Sequence, residues 1–125
     1  MPVLVLSADE AAARAGRRHL VMVASTLGTA PALVEVALVL VSELVTNAVL
    51  HGRSNPRLAV LARAGGGLFV GVGDDNSRHP VMQDEDQQAL GGRGLRLLDS
   101  LATRWGVRPE PPGKVVWFEL DADAA

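Results

Sequence analysis

Along the chain the spacing of apolar positions changes several times, and each change marks an element. The run "VLVL" at 3–6 is short and unbroken, as in an edge strand. "SADEAAARAGRRHLVMVASTLG" then reads as a helix: Ser7 or Asp9 can cap it, Ala and Arg favour it, and Gly28 closes it. A second helix starts at Pro31, a favoured first-turn residue, and runs to His51, with Gly52 as its stop. "PRLAVLAR" and "LFVGVGD" alternate as strands on either side of "AGGG", a hairpin signal. "DNSRHPVMQDEDQQALGG" has no period and is rich in polar residues and Gly, so it reads as a long loop. "GRGLRLLDSLATRW" is helical after close glycines, with Leu95, Leu98 and Leu101 or Ala102 on one face. "VRPEPPG" reads as a turn, "KVVWFEL" as a last strand, and the tail 121–125 as frayed. This order predicts an α/β (α+β) two-layer sandwich in one domain, 1–125. A mixed, mainly antiparallel sheet is covered on one face by about three helices.

The second helix contains an irregularity. On a wheel of 100° per residue, Glu35, Ser42 and Thr46 share a narrow sector, which is the expected solvent face. Val36, Leu40, Glu43, Asn47 and His51 fall in a neighbouring sector about 80° wide. That row is apolar in the first half of the helix and polar in the last two turns, whereas an ordinary amphipathic helix keeps one face apolar throughout. Two readings fit: Glu43 and Asn47 lie exposed at a helix edge, or the row runs from core into a polar cavity. Asn is a poor interior helix former. A carboxylate and an amide one turn apart make an oxygen-rich face suited to Mg²⁺, which takes one or two protein oxygens and completes its shell with water and phosphates.

Composition narrows the choices. The chain has 125 residues, 48% hydrophobic and 21% charged, the size of one domain with a packed core. With two Trp, two Phe and no Tyr, that core is built of Leu, Val and Ala. A net charge of −2 gives no footprint for nucleic acid or anionic membranes, which select clustered Lys and Arg. The absence of cysteine excludes disulfides, thiol catalysis and zinc–cysteine sites. "MPVLVLSADE" is a poor signal peptide, and the uncharged stretch between Glu35 and Glu43 is too short to span a bilayer. A cytoplasmic domain is expected. His19, His51 and His79 lack metal-site spacing, and no serine nucleophile elbow is present.

Two further stretches carry candidate chemistry. "VGVGDDNS" puts Asp74 at the C-terminal end of a strand, as a turn former or a ligand-reading acid. "GGRGLRLL" puts Gly91, Gly92 and Gly94 before a helix, as a hinge or as a place where backbone N–H groups approach phosphate.

Taken in order, "SELVTNAVLHG", "V-x-D-D-N", a polar loop and "GGRGL" resemble the histidine-kinase-like ATP-binding domain. Gyrase-type topoisomerases, heat-shock chaperones, histidine kinases and MutL share that domain. More closely, the chain resembles the small bacterial anti-sigma-factor serine/threonine kinases, in particular their single-domain actinobacterial branch. The resemblance runs from about Ala8 to Leu120, and "GKVVWFEL" matches the closing strand. It implies ATP and Mg²⁺ as cofactors, Glu43 as general base, Asn47 as Mg²⁺ ligand and Asp74 as acceptor of the adenine amine. It places Asn76 beside the base, Gly92, Arg93, Gly94 and Leu95 near the phosphates, and an ATP lid at 77–91. His51 is either a phosphate contact or a helix C-terminal stabiliser. Asn76 and Arg78 stand where the wider superfamily has glycine, which should stiffen the start of the lid. Val115 stands where a Thr often supports adenine.

The implied function is an anti-sigma regulatory factor with serine/threonine kinase activity. Its partners would be a sigma factor and an anti-sigma antagonist of the STAS type, with no nucleic acid and no membrane, and a homodimer is compatible. Two other readings are a non-catalytic, nucleotide-dependent binding module and a histidine kinase catalytic domain. The first fits the altered lid. The second lacks a preceding dimerisation helix with a phosphorylatable His.

Overall fold

A computed structural model of the chain describes residues 3–52, 54–77 and 90–122, the side chains of 90–93 excepted. Its elements run β1 (Leu4–Val5), α1 (Ala12–Leu27), α2 (Pro31–His51), β2 (Arg57–Arg63), β3 (Gly67–Asp74), α3 (Leu90–Leu101), β4 (Arg104–Glu110) and β5 (Gly113–Leu120). The strands form one open sheet in the order β1-β2-β3-β5-β4, and every pairing is antiparallel rather than mixed. α1 and α3 pack on either side of α2, which lies against the central strand β3. The expected two-layer α/β sandwich is therefore present.

Local signals set the helix ends. Asp9 accepts the Ala11 N–H at 2.9 Å ahead of α1. α1 stops at Gly28, which is left-handed (φ 71°), while the N–H of Thr29 returns to the Ala24 carbonyl at 3.0 Å. Pro31 opens α2. Gly52 ends it in extended conformation (φ −75°, ψ 166°), so no left-handed turn needs a glycine there. Space does: a Cβ on Gly52 would stand 2.3 Å from the Ala48 carbonyl oxygen and 2.9 Å from Asp74 Cβ.

α2 is apolar on most sides because it is the central helix of its layer. Ala37, Leu40, Val41, Leu44, Val45 and Ala48 are buried. Its 21 residues are apolar enough to match a membrane span by length and composition, but here they supply the core. The opposing wall comes from alternate strand positions: Leu58 and Val60 on β2, Leu68, Val70 and Val72 on β3, Val116, Phe118 and Leu120 on β5. By the same alternation Asp74 and Lys114 point into the helix-covered side, and they are cross-strand partners.

Three expectations need correction. Residues 107–110, read as turn, belong to β4, and Trp105, read as helical, pairs with Phe118 in the same strand. Pro109 is tolerated because β4 is the sheet edge. α3 begins at Leu90, so Gly91, Gly92 and Gly94 lie inside the helix rather than ahead of it. The tail is anchored at its first residue: Asp121 donates its N–H to Thr103 Oγ1 at 2.9 Å and pairs with Arg63 and Arg104. Residues 123–125 lie outside the described residues, as does most of the expected lid. Of 77–91, only Ser77 and the helical residues 90 and 91 are described.

Candidate functional site

α2 carries the row that changes character. Leu40 is fully buried in the core, Glu43 and Asn47 are half-buried, and His51 is exposed at the end. Glu43 and Asn47 face the start of α3. A Cβ placed on Gly94 would stand 2.7 Å from Asn47 Nδ2 and 3.8 Å from Glu43 Cβ, so the absence of a side chain there lets α3 close over the amide. The Asn47 Oδ1 atom is buried and has no hydrogen-bond partner among the described residues. A buried acceptor without a partner is uncommon, and with Glu43 and Asn47 half-buried against α3 the two do not lie exposed at a helix edge. Ser42, placed on the solvent face by the wheel, is instead half-buried and accepts from Arg17 of α1 at 3.2 Å.

The helix start refines the glycine assignments. In an α-helix beginning at Leu90, the N–H groups of Gly91 and Gly92 fall in the first turn, which lacks intrahelical acceptors, whereas that of Gly94 falls in the second. The Gly92 N–H thus has no intrahelical acceptor, as a backbone donor to an anion requires. Gly94 serves by making room for Asn47. Leu95 is 3% exposed and belongs to the core, which leaves only its backbone toward a ligand. The Arg93 side chain lies outside the described residues.

At the other end of the site, Asp74 terminates β3 and is 5% exposed. Its carboxylate already has partners. Lys114 Nζ lies 3.1 Å from Oδ1 and 3.2 Å from Oδ2, and the Asn76 N–H donates to Oδ1 at 2.8 Å. Lys114 Nζ also donates to the Asn76 carbonyl at 2.8 Å. Asn76 Nδ2 in turn donates to the backbone carbonyl of His51 at 2.6 Å, tying the chain after β3 to the end of α2. Asn76 thus stiffens this exit, as its replacement of glycine suggested, and it is the backbone of His51 that does the holding.

Val115 is not the residue beside the acid. It pairs with Gly73 and faces the uncovered side of the sheet, with Phe69 and Gly71. Lys114 occupies the position next to Asp74. The sequence carried a usable signal for this: with Val116, Phe118 and Leu120 inward, Lys114 must be inward too.

The residues present fit a Mg²⁺-bound triphosphate at the α2–α3 end. Asn47 Oδ1 is a hard oxygen donor without a partner among the described residues, and it lies against Gly94, one turn into a helix whose first N–H groups lack intrahelical acceptors. Among the described residues no group of three or more His, Asp or Glu could hold a metal by itself. An ion at Asn47 would therefore complete its shell from phosphate and water.

The helical layer over an open antiparallel sheet, with α3 packed over Glu43 and Asn47 of the central helix, is an α/β sandwich. Residues 6–120 match the model of the histidine kinase-like ATPase domain, and the chain belongs to that family. The same fold is found in the crystal structure of the RsbU and RsbW domains of Rv1364c from Mycobacterium tuberculosis. That match has 20% identity and a TM-score of 0.72, and it covers 97% of this chain and 32% of that one. The fold also matches the blue-light activated histidine kinase EL346 of Erythrobacter litoralis. There the identity is 23% and the TM-score 0.59, over 86% of this chain and 42% of the other. Its histidine kinase domain alone gives 24% identity and a TM-score of 0.55, over 83% and 63%. This chain therefore spans about a third of the length of the first of these structures. A comparison with curated protein sequences gives no match.

Proposed function

We propose that the chain is a cytoplasmic anti-sigma regulatory factor that binds Mg²⁺–ATP and phosphorylates a serine or threonine of a STAS-type antagonist. The observation that carries this reading is the placement of Glu43 one helical turn from Asn47, whose buried Oδ1 has no partner among the described residues, against Gly94 of α3. Family membership supports ATP as the nucleotide. The likeness to a structure containing an RsbW domain is in keeping with the anti-sigma branch that the motifs resemble.

Phosphoryl transfer requires mostly positioning and charge neutralisation from the protein. Asn47 would hold the metal through Oδ1, and the Gly91 and Gly92 N–H groups would orient the phosphates. Glu43 would accept the proton from the partner's hydroxyl. Asp74 would accept the exocyclic amine of adenine. The bound metal would supply charge neutralisation on the triphosphate. A second reading, a nucleotide-switched binding module without transfer, is favoured by one feature: the Asp74 carboxylate is already engaged by Lys114.

The test is transfer of radiolabelled phosphate from ATP to a STAS-domain partner. Removing a general base costs about 10²–10⁴ in rate. Glu43→Ala and Glu43→Gln are expected to abolish labelling while leaving ATP affinity within a few-fold of wild type. Undiminished labelling in either variant would remove Glu43 from the role of base. Tight ATP binding with no labelling of any partner by the wild type would favour the binding module.

A further inference from the structure

Lys114 is the only lysine of the chain, and its ammonium is spent entirely within the protein. An ammonium has three N–H donors. Here they meet three acceptors: Asp74 Oδ1 at 3.1 Å, Asp74 Oδ2 at 3.2 Å and the Asn76 carbonyl at 2.8 Å. The two side chains are only 8% and 7% exposed, so solvent screens the pair little. Glycines enclose it as well: a Cβ on Gly113 would overlap the Asp74 carbonyl, and one on Gly52 would stand 3.2 Å from Asp74 Cγ. No donor of Lys114 remains for a ligand. The carboxylate that would read a base holds both a positive charge and a backbone N–H.

We propose that Lys114 is the specificity-determining residue of the base site, an internal occupant of the Asp74 carboxylate that competes directly with the exocyclic amine of adenine. This rests on the reading that Asp74 receives the base. A base amine is a neutral donor, whereas the ammonium adds a full opposite charge beside the carboxylate at a place where solvent screens little. Adenine therefore competes with the ammonium for Oδ2, the carboxylate oxygen that carries a single bond, and gains most when the ammonium gives it up. While paired, Asp74 is a partly neutralised acceptor, so preference for ATP over GTP is weak in this chain. Lysine's flexible four-carbon stem lets the ammonium turn away from the carboxylate without moving β5.

Because the lysine is unique, amine labelling reports on it directly. The wild-type chain is pulsed with acetic anhydride without nucleotide, with saturating ATP and with GTP, and the peptide carrying Lys114 is quantified by mass spectrometry. Lys114 is expected to resist acetylation without nucleotide, to react faster with ATP, and to stay protected with GTP at the same concentration. Calorimetric titration of Lys114→Thr is the second arm. Its hydroxyl leaves one carboxylate oxygen to the base, and ATP affinity should rise about tenfold, the worth of one unblocked hydrogen bond to a carboxylate. GTP affinity should not change. ATP binding by Lys114→Thr but not by wild type would also bear the proposal out. If ATP binds with an affinity that Asp74→Asn weakens, yet Lys114 stays protected or becomes more so, the lysine is no competitor; the proposal falls and the base-site reading stands. If neither wild type nor Lys114→Thr binds ATP, both fall. Should Lys114→Thr fail to fold, the labelling of the wild type decides alone.

Discussion

The two ends of the site contain buried polar groups in opposite conditions. At the α2–α3 end, the Asn47 amide oxygen is out of water with no partner among the described residues, beneath a glycine that leaves it room. At the β3–β5 end, the Asp74 carboxylate is also buried, but both of its oxygens have partners in Lys114 and the Asn76 N–H. A buried acceptor without a partner carries a desolvation cost that a ligand would relieve. A buried ion pair with its hydrogen bonds made is satisfied by the fold itself. On the proposed reading, the Asn47 end offers an acceptor to a ligand, while the Asp74 end must first release one of its own residues.

That contrast can be broken by mutation, and the largest effect belongs at the satisfied end. Asp74→Asn leaves the Lys114 ammonium buried without its counter-charge, and losing one partner of a buried pair costs about 3–5 kcal/mol. Urea denaturation without nucleotide should show that loss. A change below about 1 kcal/mol, typical of surface pairs, would mean that the pair does not hold this end together.

A middle-sized effect is expected at Gly94. A methyl group there would press on Asn47 Nδ2. Overpacking costs about 1–3 kcal/mol, and the better helix propensity of Ala over Gly offsets about 1 kcal/mol of it. Gly94→Ala should therefore lose about 1 kcal/mol in the same assay and respond less to Mg²⁺ in ATP binding. Unchanged stability with a full Mg²⁺ response would show that the approach of α3 to Asn47 is not tight.

The smallest effect is expected at Asn47 itself. Asn47→Ala removes an acceptor that has no partner and gains about 0.5 kcal/mol of helix propensity. Without nucleotide the variant should be as stable as wild type or slightly more so. A loss above about 2 kcal/mol would reveal a structural hydrogen bond at that amide.

What the sequence showed of all this depended on whether the determinant was local. α2 was legible from Pro31 to His51 because its entry proline and exit glycine adjoin it. The row Glu43–Asn47 was legible because helical spacing alone puts both on one side. β4 was not, because Arg104–Glu110 is a strand only through pairing with β5, and its prolines read locally as turn. The helical placement of Gly91 and Gly94 was missed for a similar reason: packing over Asn47 overrides their low propensity. Asp121 read as frayed because Arg63, Arg104 and Thr103, which hold it, are remote in sequence. At the start of β5 it is Lys114, not Val115, that faces inward, a parity set by Val116, Phe118 and Leu120 further along the strand.

The proposed role of Asn47 Oδ1, as the protein's ligand to Mg²⁺–ATP, is tested most directly by one calorimetric comparison. ATP is titrated into wild type and Asn47→Ala, each with Mg²⁺ and with EDTA. Wild type should bind ATP more tightly with Mg²⁺, and Asn47→Ala should bind with the same affinity in both conditions. A variant that still gains affinity from Mg²⁺, or a wild type that binds no ATP in either condition, would contradict the account.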